Sequence, residues 1–316
     1  MVATPIPSDS RQATAWNRTH VWHVVNLCSL DAVTVGLAWQ LVFTLQFCER
    51  FPTLVESAII GISIWLAYTA DRILDSRQLK PDLPHTSRHR FHHQFRRPLS
   101  IVWILALAIN TILITTFATA NQIRWGVGCL LLVLLYMFGI QNGTWTVRRI
   151  PKEIQAGFLF GFGVSLVCWS SAPNQPTFQL LLSTLVAGSL FSINCATVAY
   201  WERQLDAAQT FFSWTSLRSA TVTPIAVAII LEVALATILL IFEAIPWFIA
   251  GCLMGSTLCL GITVLTNQRD QERHIHYSNG LLTKPPAGRE LLADISLIFP
   301  PIVLVILSAY NGLTGP

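Results

Sequence analysis

The chain reads as a succession of long apolar stretches divided by short polar breaks. Nine such stretches run near 21–47, 53–74, 99–119, 122–141, 154–171, 177–200, 220–242, 245–266 and 291–310. They show neither the strict alternation of a half-buried strand nor the one-sided stripe of a surface helix. About 20 apolar residues in helical conformation match the ~30 Å hydrocarbon layer of a bilayer. In that layer a single segment satisfies its own backbone only as a helix. The pattern predicts an all-α polytopic membrane protein with about nine transmembrane helices. Residues 1–20 form a leading segment, 21–310 one membrane domain and 311–316 a short tail. The leading segment has no apolar core, so no cleavable signal is expected in it, and the first stretch serves as the targeting element.

Composition supports this pattern. Of 316 residues 53% are apolar and 11% charged, against about a quarter charged in an ordinary soluble domain. So few charges cannot cover a water-soluble core of that size. The seven cysteines fall mostly inside the apolar stretches. With no CxxC and no zinc spacing among them, they read as small apolar packing residues.

Charge sets the orientation. The connections around Asn121, around Pro246 and at 171–177 are short, whereas 75–98, 142–153, 201–219 and 267–290 are long. If the N-terminus is cytoplasmic, that face holds all of the 20 Lys and Arg except Arg50 and Arg124. The positive-inside rule then predicts a cytoplasmic N-terminus and a C-terminus on the other side. The net charge of +4 acts locally, as a cytoplasmic face that attracts anionic headgroups or anionic substrates. It gives no support for nucleic-acid binding.

Two of the spans end alike. The second closes with Asp71-Arg72-Ile73-Leu74-Asp75 and the sixth with Glu202-Arg203-Gln204-Leu205-Asp206, with Tyr68 and Tyr200 just upstream. Four spans separate them, which keeps one orientation in the membrane. The repeat predicts two parallel four-helix halves plus a ninth helix, an arrangement that often places a site between the halves. Residues i and i+4 share a helical face, so Asp71 projects with Asp75 and Glu202 with Asp206. Like charges at that spacing, at a helix C-terminus, are locally unfavourable. Four hard carboxylates so placed favour an external cation, Mg²⁺ rather than zinc. The plainer alternative pairs them with Arg72 and Arg203 at the membrane surface.

The cytoplasmic loops supply complementary charge in Arg88, Arg90, Arg96 and Arg97, and in Arg148, Arg149 and Lys152. Carboxylates holding Mg²⁺ opposite Arg and Lys suit a diphosphate, although the positive-inside rule alone accounts for basic loops. His85, His89, His92 and His93 read as part of an amphipathic interfacial helix, since no carboxylate or cysteine completes a ligand set. Asp31 and Glu232 fall near the middle of spans 1 and 7, where an ionised acid costs about 2.5–3.5 kcal/mol. Each is expected to face the bundle interior or to be protonated. Asp31 is either an acceptor-binding or proton-accepting group or a hydrogen-bonded structural acid. Glu290 and Asp294 repeat the i, i+4 spacing at a helix N-terminus, where the dipole welcomes anions, and read as structural.

Over most of its length the chain resembles the UbiA superfamily of intramembrane prenyltransferases. Asp71 and Asp75 match the last two acids of that family's NDxxDxxxD motif, and Glu202 and Asp206 its second motif, DxxxD. Arg96-Arg97-Pro98-Leu99 matches its Arg-Pro-Leu segment, and Tyr136 with the stretch 148–157 its Tyr…Lys-Arg region. The chain departs from the family in having Ala67-Tyr68 where Asn-Asp is usual and Glu202 in place of Asp. The resemblance implies an Mg²⁺-dependent prenyltransferase of a bacterial cytoplasmic membrane, its site facing the cytoplasm. Its partners would be a prenyl diphosphate, a lipophilic acceptor and membrane lipids. Asp71, Asp75, Glu202 and Asp206 would hold the metal, and Arg72, Arg96, Arg97, Arg148, Arg149, Lys152, Arg203, Tyr68 and Tyr136 the prenyl diphosphate. Tyr68, Tyr136, Tyr200 and Trp201 could face an allylic cation or serve as interfacial anchors. A terpene cyclase on the same scaffold, and a non-catalytic lipid binder or transporter, are the alternatives. Acceptor, prenyl chain length and oligomeric state are not legible in the sequence.

Overall fold

The structure, a computed structural model, describes residues 20–80, 83, 86–141, 150–171, 177–209, 222–277 and 289–310. In chain order the helices are α1 (His20–Leu27), α2 (Leu30–Cys48), α3 (Leu54–Gln78), α4 (Ser87–Gln94), α5 (Arg96–Phe117), α6 (Ala120–Gln141), α7 (Lys152–Ser171), α8 (Thr177–Gln209), α9 (Thr223–Ile241), α10 (Trp247–Tyr277) and α11 (Arg289–Tyr310). No strand occurs among the described residues. Nine of these helices are long and apolar enough to cross a bilayer. The protein is an integral, multi-pass membrane protein.

The first span is shorter than its apolar run suggests. Ser29 adopts a left-handed backbone, φ 57°, and divides the run into α1 and α2. Asp31 therefore lies in the first turn of α2, not in mid-membrane. Its carboxylate accepts hydrogen bonds from Asn26 Nδ2 at 2.6 Å and Ala32 N at 2.9 Å. At that helix head the dipole favours the negative charge. Glu232, by contrast, lies deep in α9 and is buried, as expected of an acid at that depth. Ser189 of α8 donates a hydrogen bond to it.

Packing does not follow the sequence repeat. α8 is among the most buried spans, whereas its repeat partner α3 is largely peripheral. The two halves are therefore not equivalent in their surroundings. The tightest crossing joins α7 to α8. A Cβ on Gly157 would stand 2.2 Å from Ser192 N, and one on Gly161 would stand 2.9 Å from Gly188 Cα. Small residues four apart let two backbones approach this closely without help from the hydrophobic effect, which is weak between helices in lipid. α2 packs on α3, α7 and α11, whereas α5 leans on α3 and α6 on α7 at the periphery.

α11 runs unbroken through Pro300 and Pro301. Pro301 has no N–H to give the carbonyl of Leu297, four residues earlier. The indole Nε1 of Trp39 on α2 donates to that carbonyl instead, at 3.0 Å. The vacancy that the proline opens is thus filled from a neighbouring helix, and both Trp39 and Leu297 are fully buried.

Candidate functional site

The two acid motifs come together at one end of the bundle. α3 and α8 run into this end, while α2, α7 and α11 begin at it. Three helix N-termini, each favouring negative charge, therefore share it with the carboxylates. Lys152, the first residue of α7, lies within electrostatic reach of Asp75, Asp71, Asp206 and Glu153. Arg72 acts on Asp75, Asp206 and Glu202. Acids four spans apart in sequence thus share two cations. Burial, and after it the Glu202 carboxylate, push the Asp206 carboxyl up to about 7. Lys152 and Arg72 offset this only in part.

α4 folds back across this end. Its N-cap is Thr86, whose side chain accepts from His89 N at 3.2 Å. His93 Nδ1 donates to Ser76 O of α3 at 3.0 Å. Gln209, the last residue of α8, exchanges hydrogen bonds with the backbone of Lys80 at 2.9 and 3.0 Å. So anchored, α4 carries Arg88 into the protein. Arg88 Nη2 donates to Glu202 Oε1 at 2.8 Å, and Arg88 Nε makes a charge contact with Glu290 Oε2 at 2.9 Å. Burial works against the guanidinium charge, but the two carboxylates outweigh it and raise the pKa above its ordinary value. α4 is not the amphipathic interfacial helix the sequence suggests: the face it buries is polar, with Arg88, His89 and His92, while Arg90 and His93 are exposed. His85 lies outside the described residues.

The other expected site residues divide. Tyr68 and Tyr136 both reach the acids: Tyr136 lies within electrostatic range of Asp71, Tyr68 and Asp75, and Tyr68 of Asp294, Asp31 and Arg72. Arg203 turns back on its own helix, donating to Tyr200 O at 2.6 Å with its guanidinium 4.0 Å from the Tyr200 ring centroid. Arg96 and Arg97 are exposed at the head of α5. Arg148 and Arg149 lie outside the described residues.

Some members of the site were read otherwise in the sequence. Glu290, read as a helix-head acid, pairs with Arg88. Asp294 accepts from Asn194 Nδ2 at 3.2 Å and lies against Asp31. The signal was present in their i, i+4 spacing, which is that of the motif acids. Glu153 was not singled out. It is buried, and neither carboxylate oxygen has a hydrogen-bond partner among the described residues.

From Tyr68 an aromatic run leads inward. Its ring meets Phe160 edge-on at 6.1 Å, Phe160 meets Phe191 at 4.8 Å and Phe191 meets Trp39 at 5.4 Å. The run continues through Phe43 to Phe47, at 6.4 and 6.0 Å. The charged end of the bundle thus gives way to a packed aromatic core.

Among the described residues no three His, Cys, Asp or Glu side chains are grouped to hold a metal ion. No preassembled cage stands there; Mg²⁺ commonly takes one or two carboxylates and completes its shell with water and substrate phosphate. Of the four expected ligands, Glu202 is engaged by Arg88, which leaves Asp71, Asp75 and Asp206, not grouped as a ready-made set. Comparison with family models, with curated proteins and with solved structures finds no match.

Proposed function

We propose that the protein is an Mg²⁺-dependent intramembrane prenyltransferase. It would move a prenyl group from a prenyl diphosphate to a lipophilic acceptor. The observation that carries this reading is the convergence of Asp71, Asp75 and Asp206 on Lys152, with Arg72 acting on Asp75 and Asp206, beside a packed aromatic core. A diphosphate needs carboxylates for a metal and cations for its free oxygens, whereas a prenyl tail needs apolar walls. The resemblance to the UbiA superfamily points the same way.

Asp71, Asp75 and Asp206 would hold the metal, and a metal held there would supply charge neutralisation for a leaving pyrophosphate. Lys152 and Arg72 would bind the remaining phosphate oxygens, aided by the helix heads of α7 and α11. Arg88 holds Glu202 and Glu290 in place and so fixes the ends of α8 and α11 around the substrate. Tyr68 and Tyr136 would present ring faces to positive charge developing on the allylic carbon, each contact worth about 0.5–2 kcal/mol. Arg203, folded onto Tyr200, would contribute through the shape of the α8 end rather than by phosphate contact.

One observation favours a second reading. Tyr68 occupies a position where the family has an acid, and it heads the aromatic run, which suits a cyclase that guards a carbocation. Product analysis separates the readings. Labelled geranylgeranyl diphosphate is supplied to the protein in nanodiscs, with and without a lipid extract. A labelled product that forms only with the extract supports transfer, and a cyclic hydrocarbon formed without it supports cyclisation. Ion-driven flux of lipid across proteoliposomes, with the diphosphate left intact, would contradict both.

A further inference from the structure

At the end of the bundle away from the acid motifs, two thiols meet. Cys48 is the last residue of α2 and Cys168 lies in the last turn of α7. Their sulfurs are 3.7 Å apart although 120 positions separate them in the chain. Both are free thiols. Cys168 is 1% exposed, whereas Cys48 is half-buried and reachable. The sequence reading as packing residues does not account for this contact, since small apolar groups need no sulfur-to-sulfur approach between two helices.

The surroundings form a clasp. Arg50 forks onto Glu56 with two hydrogen bonds of 2.7 Å. Gln122 Nε2 on α6 donates to the same carboxylate at 3.3 Å, and Asn121 Nδ2 donates to Ser170 O on α7 at 2.6 Å. These contacts tie the α2–α3 turn, α3, α6 and α7 together at this end. The thiol contact is where α2 joins α7.

We propose that Cys48 and Cys168 are an oxidation site and form a disulfide that staples α2 to α7. Bonded sulfurs stand about 2.05 Å apart, so the thiols must close the remaining gap. Cys48 is placed to yield, because the helix ends there and the next residue, Glu49, already leaves it with φ 53°. The charge pattern puts this end on the non-cytoplasmic side, where only Arg50 and Arg124 of the chain's Lys and Arg lie. Thiols persist as disulfides on that side of a cell membrane.

The oxidant is the disulfide of a thiol oxidase acting there. The Cys48 thiolate attacks one sulfur of that disulfide, and the oxidase's other sulfur leaves as a thiolate. The Cys168 thiolate then attacks the Cys48 sulfur of the mixed disulfide, and the oxidase's remaining sulfur leaves. Two thiols of the protein lose two protons and two electrons, and the oxidase disulfide becomes a dithiol. The exposed partner meets the oxidase and the buried one resolves the adduct. This site is independent of the prenyl-transfer reading and stands or falls without it.

The test is alkylation of the full-length protein in its own membranes, quenched with maleimide at lysis, denatured and mapped by mass spectrometry. Two of the seven cysteines are expected to escape label until reductant is added. The cross-linked peptide is expected to contain Cys48 and Cys168. In Cys168→Ala, Cys48 should label without reductant and no protected pair should remain. Label on every cysteine without reductant would overturn the site, as would a protected pair that survives Cys168→Ala. If that variant does not accumulate, the peptide map of the unaltered protein decides alone.

Discussion

Arg88 and Glu202, 114 residues apart, form a buried ion pair of 2.8 Å in which each side chain is no more than 10% exposed. Glu290 completes the group at 2.9 Å. Removing one member of a buried pair strands the other's charge, at a cost of about 3–5 kcal/mol. Arg88→Met should therefore lower the melting temperature steeply in detergent. Adding Glu202→Gln and Glu290→Gln should recover most of the loss, because no charge is then left unpaired. A triple variant as unstable as Arg88→Met would show that Arg88 acts by packing alone.

The Trp39 bond to Leu297 makes a second, independent prediction. Trp39→Phe leaves the Leu297 carbonyl with neither a helical nor an indole donor, which costs about 1–3 kcal/mol. Pro301→Ala restores an N–H four residues along α11. In that background Trp39→Phe should cost measurably less, and thermal unfolding of the four proteins measures the coupling. Equal cost in both backgrounds would mean that the indole does not stand in for the missing helical donor.

α7 offers an internal control. Gly157→Val places atoms where Ser192 backbone already lies, 2.2 Å from the first added carbon. Overpacking of this kind costs about 1–3 kcal/mol or more. On the same helix an added Cβ at Gly163 meets nothing within 4 Å. Gly163→Ala should therefore be neutral or stabilising by up to about 1 kcal/mol. Retention of monodisperse protein on gel filtration after mild heating separates the two.

The histidines of α4 give the pH dependence. Burial, then Arg72, lowers His89 to about 3, and burial lowers His92 to about 4, both from 6.5. His89 also faces Arg88, Lys152 and the opposing charge of Glu202. Between these values and 6.5 the unfolded chain binds more protons than the folded one, so stability rises with pH. The contribution is complete above about 6.5 and is lost as the pH falls toward about 4 and then 3. His89→Asn with His92→Asn should flatten the fall in melting temperature between about pH 7 and about pH 5. An unchanged slope would assign that fall to the carboxylates.

The nine spans were legible because a bilayer imposes one length and one polarity on every crossing helix. The break at Ser29 was not. It depends on a single left-handed residue that hydropathy does not register, and missing it placed Asp31 in mid-membrane. The pairing of motif acids was legible as spacing, and the structure gathers Asp71, Asp75 and Asp206 around Lys152. The partner of Glu202 was not, because Arg88 sits in a loop whose charge the membrane itself explains. Only the fold of α4 over the bundle end selects it from its neighbours Arg90, Arg96 and Arg97. Glu290 does stand in the first turn of α11, as its structural reading expects, but a helix head satisfies an acid locally and hides its tertiary partner, here Arg88.

The proposed function requires the acid-motif end to bind and ionise a prenyl diphosphate with Mg²⁺. Pyrophosphate release measures it most directly, with the purified protein in nanodiscs and geranyl, farnesyl and geranylgeranyl diphosphates supplied in turn, plus a lipid extract. Release is expected with Mg²⁺, absent with EDTA, and reduced by at least about a hundredfold in Asp71→Asn and Asp206→Asn, the equivalent of about 2.7 kcal/mol of transition-state stabilisation. Release that persists in EDTA and in both variants, or no release with any of the three substrates, would contradict it.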